Sequence, residues 1–211
     1  MSSARPDELP LFPLGLVLLP GELLPLHIFE ERYKGMIRHC RDTGEPFGLV
    51  WKQLDELAEV ACTARLRVVL REYEDGRLDV VVRGEERFRL LAAIVPEEID
   101  LEPLRAEVEF LEEEGPEPPE ELKAEAVRMF GEVVRLAEVE GEPPELATEV
   151  SLSYAIASRL ELEPALKLGL LVMDQETERL NYLLDVLRTV SGRLELLKER
   201  KEAIRGNGDA R

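Results

Sequence analysis

Four side chains in the first third of the 211-residue chain carry zinc-ligand chemistry: His27, His39, Cys40 and Cys62. Imidazole and thiolate are the usual ligands of zinc, but structural sites present them in closely spaced pairs. Here His39 and Cys40 are adjacent, and no C-x-x-C or H-x3-5-H spacing occurs. Cys40 and Cys62 therefore read as ordinary buried or half-buried thiols of a chain kept in a reducing compartment. No metal or other cofactor is expected.

Nucleophilic chemistry is no better supplied. Ser151, Ser153, Ser158 and Ser191 fall on helical segments, none sits in G-x-S-x-G, and both histidines lie in the other half of the chain. A Ser-Lys pair would need a mutual geometry that spacing does not specify. With 45 acidic residues, carboxylate pairs occur everywhere and single out nothing. There is no G-x-x-x-x-G-K-[ST] loop to cradle phosphates. No nucleophile has a partner, so the expectation is a protein that is not an enzyme.

Arginines offer a third chemistry. Arg65, Arg67, Arg71, Arg83, Arg87 and Arg89 cluster on neighbouring extended segments and could form a basic face for RNA. Glu72, Asp79, Glu85 and Glu86 are interleaved with them and can pair across strands, and aromatic residues for base stacking are few. The formal net charge of −18 weighs further against nucleic acid and against anionic membranes.

The elements that would position these groups follow from periodicity. "LPLFPLGLVLLPGELLPLHIFEERY", residues 9 to 33, is nearly long enough to span a membrane, but Pro10, Pro13, Pro20 and Pro25 each remove a backbone donor. Arg5 is offset by Asp7 and Glu8, and no cleavage site follows, so it is no signal peptide. It reads as two strands, Leu9–Leu14 and Leu23–Ile28, joined by a loop that turns at Pro20-Gly21 and exposes apolar residues around Leu16 to Leu19. Tyr33, Met36, Ile37 and Cys40 recur at helical spacing, with Gly44 after the last of them.

Beyond this helix the period is two. Leu66, Val68 and Leu70 form one apolar face, followed across Glu74-Asp75-Gly76 by Leu78, Val80 and Val82, then Phe88, Leu90 and Ile94, then Leu104, Ala106, Val108 and Phe110. Successive strands of this kind predict an antiparallel sheet closed into a small barrel. The acidic, proline-rich stretch "EEEGPEPPEE" then reads as an extended, solvated joint. Helices follow near Glu120–Val139, Pro144–Ser158 and Pro164–Leu171. A long helix begins near Gln175 with Asp174 as N-cap, and Leu180, Leu183, Leu187, Val190, Leu194 and Leu197 make a heptad seam along it. The seam is expected to serve the helical bundle, its final turns being the place for an oligomer contact.

Four ordered segments carry a family resemblance. The opening runs L-P-L-F-P-L, V-x-x-P-G and L-P-L-x-I-F-E-x-R-Y. "EPFGLV" follows, then "ACTARLRVVLREYEDGRLDVVVRGEERFRLL" with its Gly-x-x-Arg-Phe segment, and finally "PALKLGLLVMDQETERLNYLLDVL". Through these, over about residues 8 to 197, the chain resembles the N-terminal substrate-recognition domain of the Lon protease family. It departs at Cys62, where the family commonly has Gly before Thr63.

The resemblance implies an α+β fold, a PUA-like antiparallel β-barrel with one helix (8–111), a joint (112–119), an α-helical bundle with a long last helix (120–204) and a disordered tail (205–211). It implies no chemistry of its own: a full Lon protease adds an ATPase and a Ser-Lys protease module, for which residues 206–211 leave no room. The expected role is a non-catalytic, cytoplasmic module that binds unfolded or degron-bearing polypeptides, as an adaptor to a protease or chaperone. An RNA-binding barrel is the alternative. Candidate peptide contacts are Leu16, Val17 and Leu19 in the apolar loop, with Tyr33 and Trp51, whereas Arg87 and Phe88 read as scaffold.

Overall fold

The computed structural model describes residues 5–98, 100–137, 146 and 149–208, with side chains as far as residue 200. The element order is β1 (Glu8–Leu14), β2 (Leu23–Ile28), α1 (Glu31–Thr43), β3 (Phe47–Gln53), β4 (Glu56–Leu57), β5 (Val60–Glu72), β6 (Leu78–Ile94), β7 (Arg105–Phe110), α2 (Glu120–Leu136), α3 (Leu152–Ala157), α4 (Pro164–Val172) and α5 (Glu176–Gly208). Strands fill the first half and helices the second, an α+β arrangement. The strands pair in the order β1-β7-β6-β5-β3-β4, and a parallel β1–β3 pairing joins the order back on itself. β2 lies outside this circuit, antiparallel to the first part of β6.

Alternation places Leu78, Val80 and Val82 of β6 on the inner face, all buried. α1 lays Tyr33, Met36, Ile37 and Cys40 against them and ends at Gly44, whose φ of 75° is the left-handed conformation that glycine adopts without strain. On β5 the expected face is not the one observed. Leu66 packs inward, but Val68 and Leu70 are exposed and Val69 packs inward instead. The cause is register. Leu66 pairs with Val82 and Val68 with Val81, then Val69 with Val80 and Arg71 with Asp79, so β5 carries an extra residue at Arg67 and another at Leu70. Each bulge reverses the alternation that a regular strand would keep.

The apolar loop is also not where its composition suggested. Val17, Leu18 and Leu19 are buried in the main core cluster, and Leu16 is packed against it. Glu22 folds the loop back, accepting from the Leu19 N–H at 3.0 Å, while the Gly21 N–H donates to the Gly84 carbonyl at 2.8 Å. A Cβ on Gly84 would lie 2.1 Å from the Leu19 carbonyl oxygen, so glycine alone lets loop and strand approach this closely.

The same core cluster runs from the sheet into the helices, through Met129, Phe130, Ile156 and Leu170 to Leu180, Leu183, Leu184 and Leu187. The sheet and helix halves therefore share this cluster, while a second one, with Leu9, Leu11, Val50, Phe88 and Val108, lies within the sheet half. α2 ends at Leu136, so Val139 lies outside the described residues. Of the helix expected over 144–158, Leu152–Ala157 is helical; 144, 145, 147 and 148 lie outside the described residues. α5 starts at Glu176, and Asp174 does not cap it but accepts from Arg87 Nη1 at 3.1 Å. Helical backbone continues to Gly208, so residues 205–208 extend α5 where a disordered tail was expected.

The seam is buried from Leu180 to Leu187, half-buried at Val190 and Leu194, and exposed at Leu197. Leu187→Asp is therefore expected to unfold the helical half, because it puts a charge where a leucine contributes about 1.5–3 kcal/mol of burial. Truncation after Lys198 should leave the melting temperature nearly unchanged. Circular dichroism with sedimentation reads both, and a truncation that converts a dimer to a monomer would make the end of α5 an interface.

Candidate functional site

Two buried arginines bracket the joint: Arg87 ties the sheet half to the helices and the joint, and Arg179 ties the helices to the joint. Arg87 of β6 donates through Nη1 to the Leu171 and Met173 carbonyls at 2.9 and 3.0 Å, and through Nη2 to the Glu112 carbonyl at 2.9 Å. Arg179 of α5 is 0% exposed, lies over the Tyr154 ring at 4.5 Å, and donates to the Met173 carbonyl, Ser153 Oγ, Ser151 Oγ and the Glu113 carboxylate. Two of the four helical serines are thus structural acceptors. The Glu114 N–H donates to the Asp174 carbonyl, and Glu22 pairs with Lys167. The joint is exposed along most of its length, as its composition implied, but it is pinned at both sides.

A cleft of 210 Å³ between the halves follows this seam and is lined by Arg5, Glu85, Glu86, Glu112, Glu149 and Tyr154 among others. Its charges are answered within the chain: Arg5 pairs with Glu86 and Glu112, Arg65 with Glu85, and Arg83 with Glu149. The arrangement is that of a closed polar contact rather than an apolar groove.

Four of the six arginines of the expected face are ion-paired within the chain, and among the described residues Arg67 and Arg71 are the exceptions. Arg65 and Arg83 are paired as above, Arg89 bridges Glu59 and Glu109, and Arg87 is the buried clamp. Nothing in this geometry supports an RNA-binding surface.

Exposed apolar side chains gather instead on the outer face of β2, β6 and β5. Partners in an antiparallel register share a face, which gives three rows: Leu23–Arg83–Arg65, Pro25–Val81–Val68 and His27–Asp79–Arg71. The inner rows, Leu24–Val82–Leu66 and Leu26–Val80–Val69, pack on the core. On the outer face Leu23 is 61% exposed, Val68 46%, and Leu70, the residue inserted by the second bulge, 62%.

A polar network bounds the outer face at one end. His27 Nδ1 lies 2.6 Å from Asp79 Oδ1, and the Tyr73 hydroxyl donates to Asp79 Oδ2 at 2.8 Å. These bonds, His27 first, hold the Asp79 carboxyl below its ordinary range, and the bond to Asp79 raises the Tyr73 phenol. Arg71 and Arg77 stand over the Tyr73 ring at 4.4 and 4.9 Å. Phe29, 62% exposed, stacks near His27.

The residues proposed from sequence take other places. Val17 and Leu19 are core. Tyr33 is buried with its ring 4.1 Å from that of Phe12, because α1 turns it inward. None of these three offers surface to a partner. Leu16 and Trp51 are half-buried against the main cluster. The outer face was missed because regular alternation assigns Val68 and Leu70 to the core; Leu23 and Pro25 at an alternate spacing were the available signal. Both thiols are free and buried, and burial favours their protonated form, pushing Cys40 up to about 11 and raising Cys62 as well. His27 and His39 face Asp79 and Glu45, and among the described residues no three His, Cys, Asp or Glu side chains converge to hold a metal.

The chain matches the model of the substrate-binding domain of ATP-dependent protease La (Lon) over residues 8–189. It is 30% identical to a Lon protease of Paraburkholderia phytofirmans, over 100% of this chain and 28% of that protein. It is 23% identical to a Lon protease of Cytophaga hutchinsonii, over 92% of this chain and 26% of that protein. The chain thus spans about a quarter of the length of these curated relatives, by the 28% and 26% coverage. Among solved structures, a Lon N-terminal domain protein from Xanthomonas campestris superposes with a TM-score of 0.66 at 28% identity, covering 84% of this chain and 97% of that chain. The N-terminal domain of a Mycobacterium avium complex Lon protease shares the fold, with a TM-score of 0.62 at 21% identity, over 86% and 98% of the two chains.

Proposed function

Since the chain belongs to the family of the Lon protease substrate-binding domain, we propose that it is a non-catalytic module that captures unfolded or degron-bearing polypeptide on the outer face of β2, β6 and β5. The observation that carries this reading is the apolar row of exposed Pro25, half-buried Val81 and exposed Val68, with exposed Leu23 and Leu70 beside it, on a chain of net charge −18. Contiguous exposed apolar surface rimmed by polar groups is characteristic of an interaction site. No helix among the described residues is long and apolar enough to cross a membrane. The working picture is a cytoplasmic adaptor that passes its client to a protease or chaperone.

The test is capture of a reduced, carboxymethylated protein, followed by fluorescence anisotropy. Val68→Ser with Leu70→Ser should weaken binding at least tenfold, because two apolar side chains each contribute about 1.5–3 kcal/mol when buried. The melting temperature should move little, since both are exposed. Undiminished binding by the double variant would place the recognition surface elsewhere.

A further inference from the structure

Resting on that recognition reading, we infer that the preferred client segment is extended, apolar and acidic, with Leu- or Val-type side chains interspersed with Asp or Glu. The sequence of β5 across the two bulges is Arg67-Val68-Val69-Leu70-Arg71, and all but Val69 of these are exposed. Each bulge inserts one residue, Arg67 and then Leu70, so cationic and apolar groups stand together on the strand instead of alternating between faces.

Arg67 and Arg71 differ from their neighbours in making no ion pair among the described residues, although Arg71 stands across the strands from Asp79 and helps to lower its carboxyl. Arg65, Arg77, Arg83 and Arg89 are each ion-paired, to Glu85, Asp75, Glu149 and Glu59 with Glu109 respectively. Among the described residues Arg67 and Arg71 have no carboxylate within ion-pair distance; Arg71 rests on the Tyr73 ring. Nearby acids are committed: Asp79 to His27 and Tyr73, Glu72 to Arg41.

This matters because of the rest of the surface. A chain of net charge −18 repels acidic segments nearly everywhere and attracts basic ones without discrimination. A local pair of unpaired guanidiniums beside Val68 and Leu70 reverses that preference at one place. Guanidinium also matches a carboxylate with two parallel N–H donors, which a point charge does not. An acidic, apolar segment would fill both kinds of contact at once, its apolar side chains on Val68 and Leu70 and its carboxylates on Arg67 and Arg71.

The experiment uses three unstructured fluorescent peptides of equal length and equal leucine and valine content, whose remaining positions are Glu/Asp, Ser/Gln or Lys. Anisotropy titrations are run on the full chain at low and moderate salt. The acidic peptide should bind at least fivefold more tightly than the neutral one, and the margin should shrink as salt rises. Arg67→Gln with Arg71→Gln should erase the margin and leave the neutral peptide's affinity unchanged, with circular dichroism confirming the fold.

Equal affinity for acidic and neutral peptides, tightest binding of the basic peptide, or a margin that survives the double Gln variant overturns the inference. The recognition reading is judged separately. If all three peptides bind equally and Val68→Ser with Leu70→Ser abolishes binding, that reading stands and only the charge preference fails. If no peptide binds, or the serine variant changes none of them, both fail.

Discussion

Arg87→Ala is expected to lower the stability of the whole chain by about 3–5 kcal/mol. The side chain is buried, and its guanidinium serves the Leu171, Met173 and Glu112 carbonyls together with the Asp174 carboxylate. Alanine removes the donor to three backbone acceptors at once, at a side chain that is itself buried beside the cleft. Each unsatisfied buried acceptor costs about 1–3 kcal/mol. Asp174 is partly exposed and regains solvent, so it adds little. With a urea slope of about 2 kcal/mol/M the midpoint should fall by roughly 1.5–2.5 M.

The chain supplies its own pair of probes for this measurement. Trp51, the single tryptophan, sits on β3 in the sheet half, while the far-ultraviolet signal at helical wavelengths reports mainly α2 and α5. In the parent protein the two transitions should coincide, because one apolar cluster runs through both halves. In Arg87→Ala they should move together or separate with the helical half melting first. An unchanged midpoint would mean that the three carbonyls are satisfied without the guanidinium. Arg87→Lys should be intermediate, since one ammonium cannot span acceptors on both sides of the joint.

The legible parts of the fold were those set by local pattern. β1 and β2 emerged from proline-punctuated apolar runs, α1 from four apolar residues at helical spacing with Gly44 after them, and α5 from its leucine seam. The parts that escaped depend on residues distant in sequence. Bulges at Arg67 and Leu70 leave no composition signature, because they arise from how β5 and β6 match in length and twist. Hydropathy assigns arginine to the surface, so it could not foresee Arg87 and Arg179 as the buried centre of the joint. The candidate face was illegible for the same reason as the bulges: Val68 and Leu70 are ordinary strand residues until register turns them outward.

Leu19→Ser is the second large effect, and it follows from that dependence on distant residues. Read along the chain, Leu19 belongs to an apolar loop, and an exposed serine substitution would cost less than about 0.5 kcal/mol. In the fold the side chain is 0% exposed, enclosed by the cluster that also holds Val17 and Leu18. Its own carbonyl rests on Gly84, and its N–H is held by Glu22. The backbone is fixed on both sides, so the site has little freedom to collapse around a smaller residue. A cost at the upper part of the range for buried leucine, about 3–5 kcal/mol, is expected, with the new hydroxyl adding to the cavity. Thermal melts of Leu19→Ser and Leu16→Ser decide the matter. A large drop for the first and a small one for half-buried Leu16 would show the loop to be an anchor that fastens β6 beneath the proposed recognition face. Equal, small drops would return the loop to the surface and make it a rival candidate for client contact.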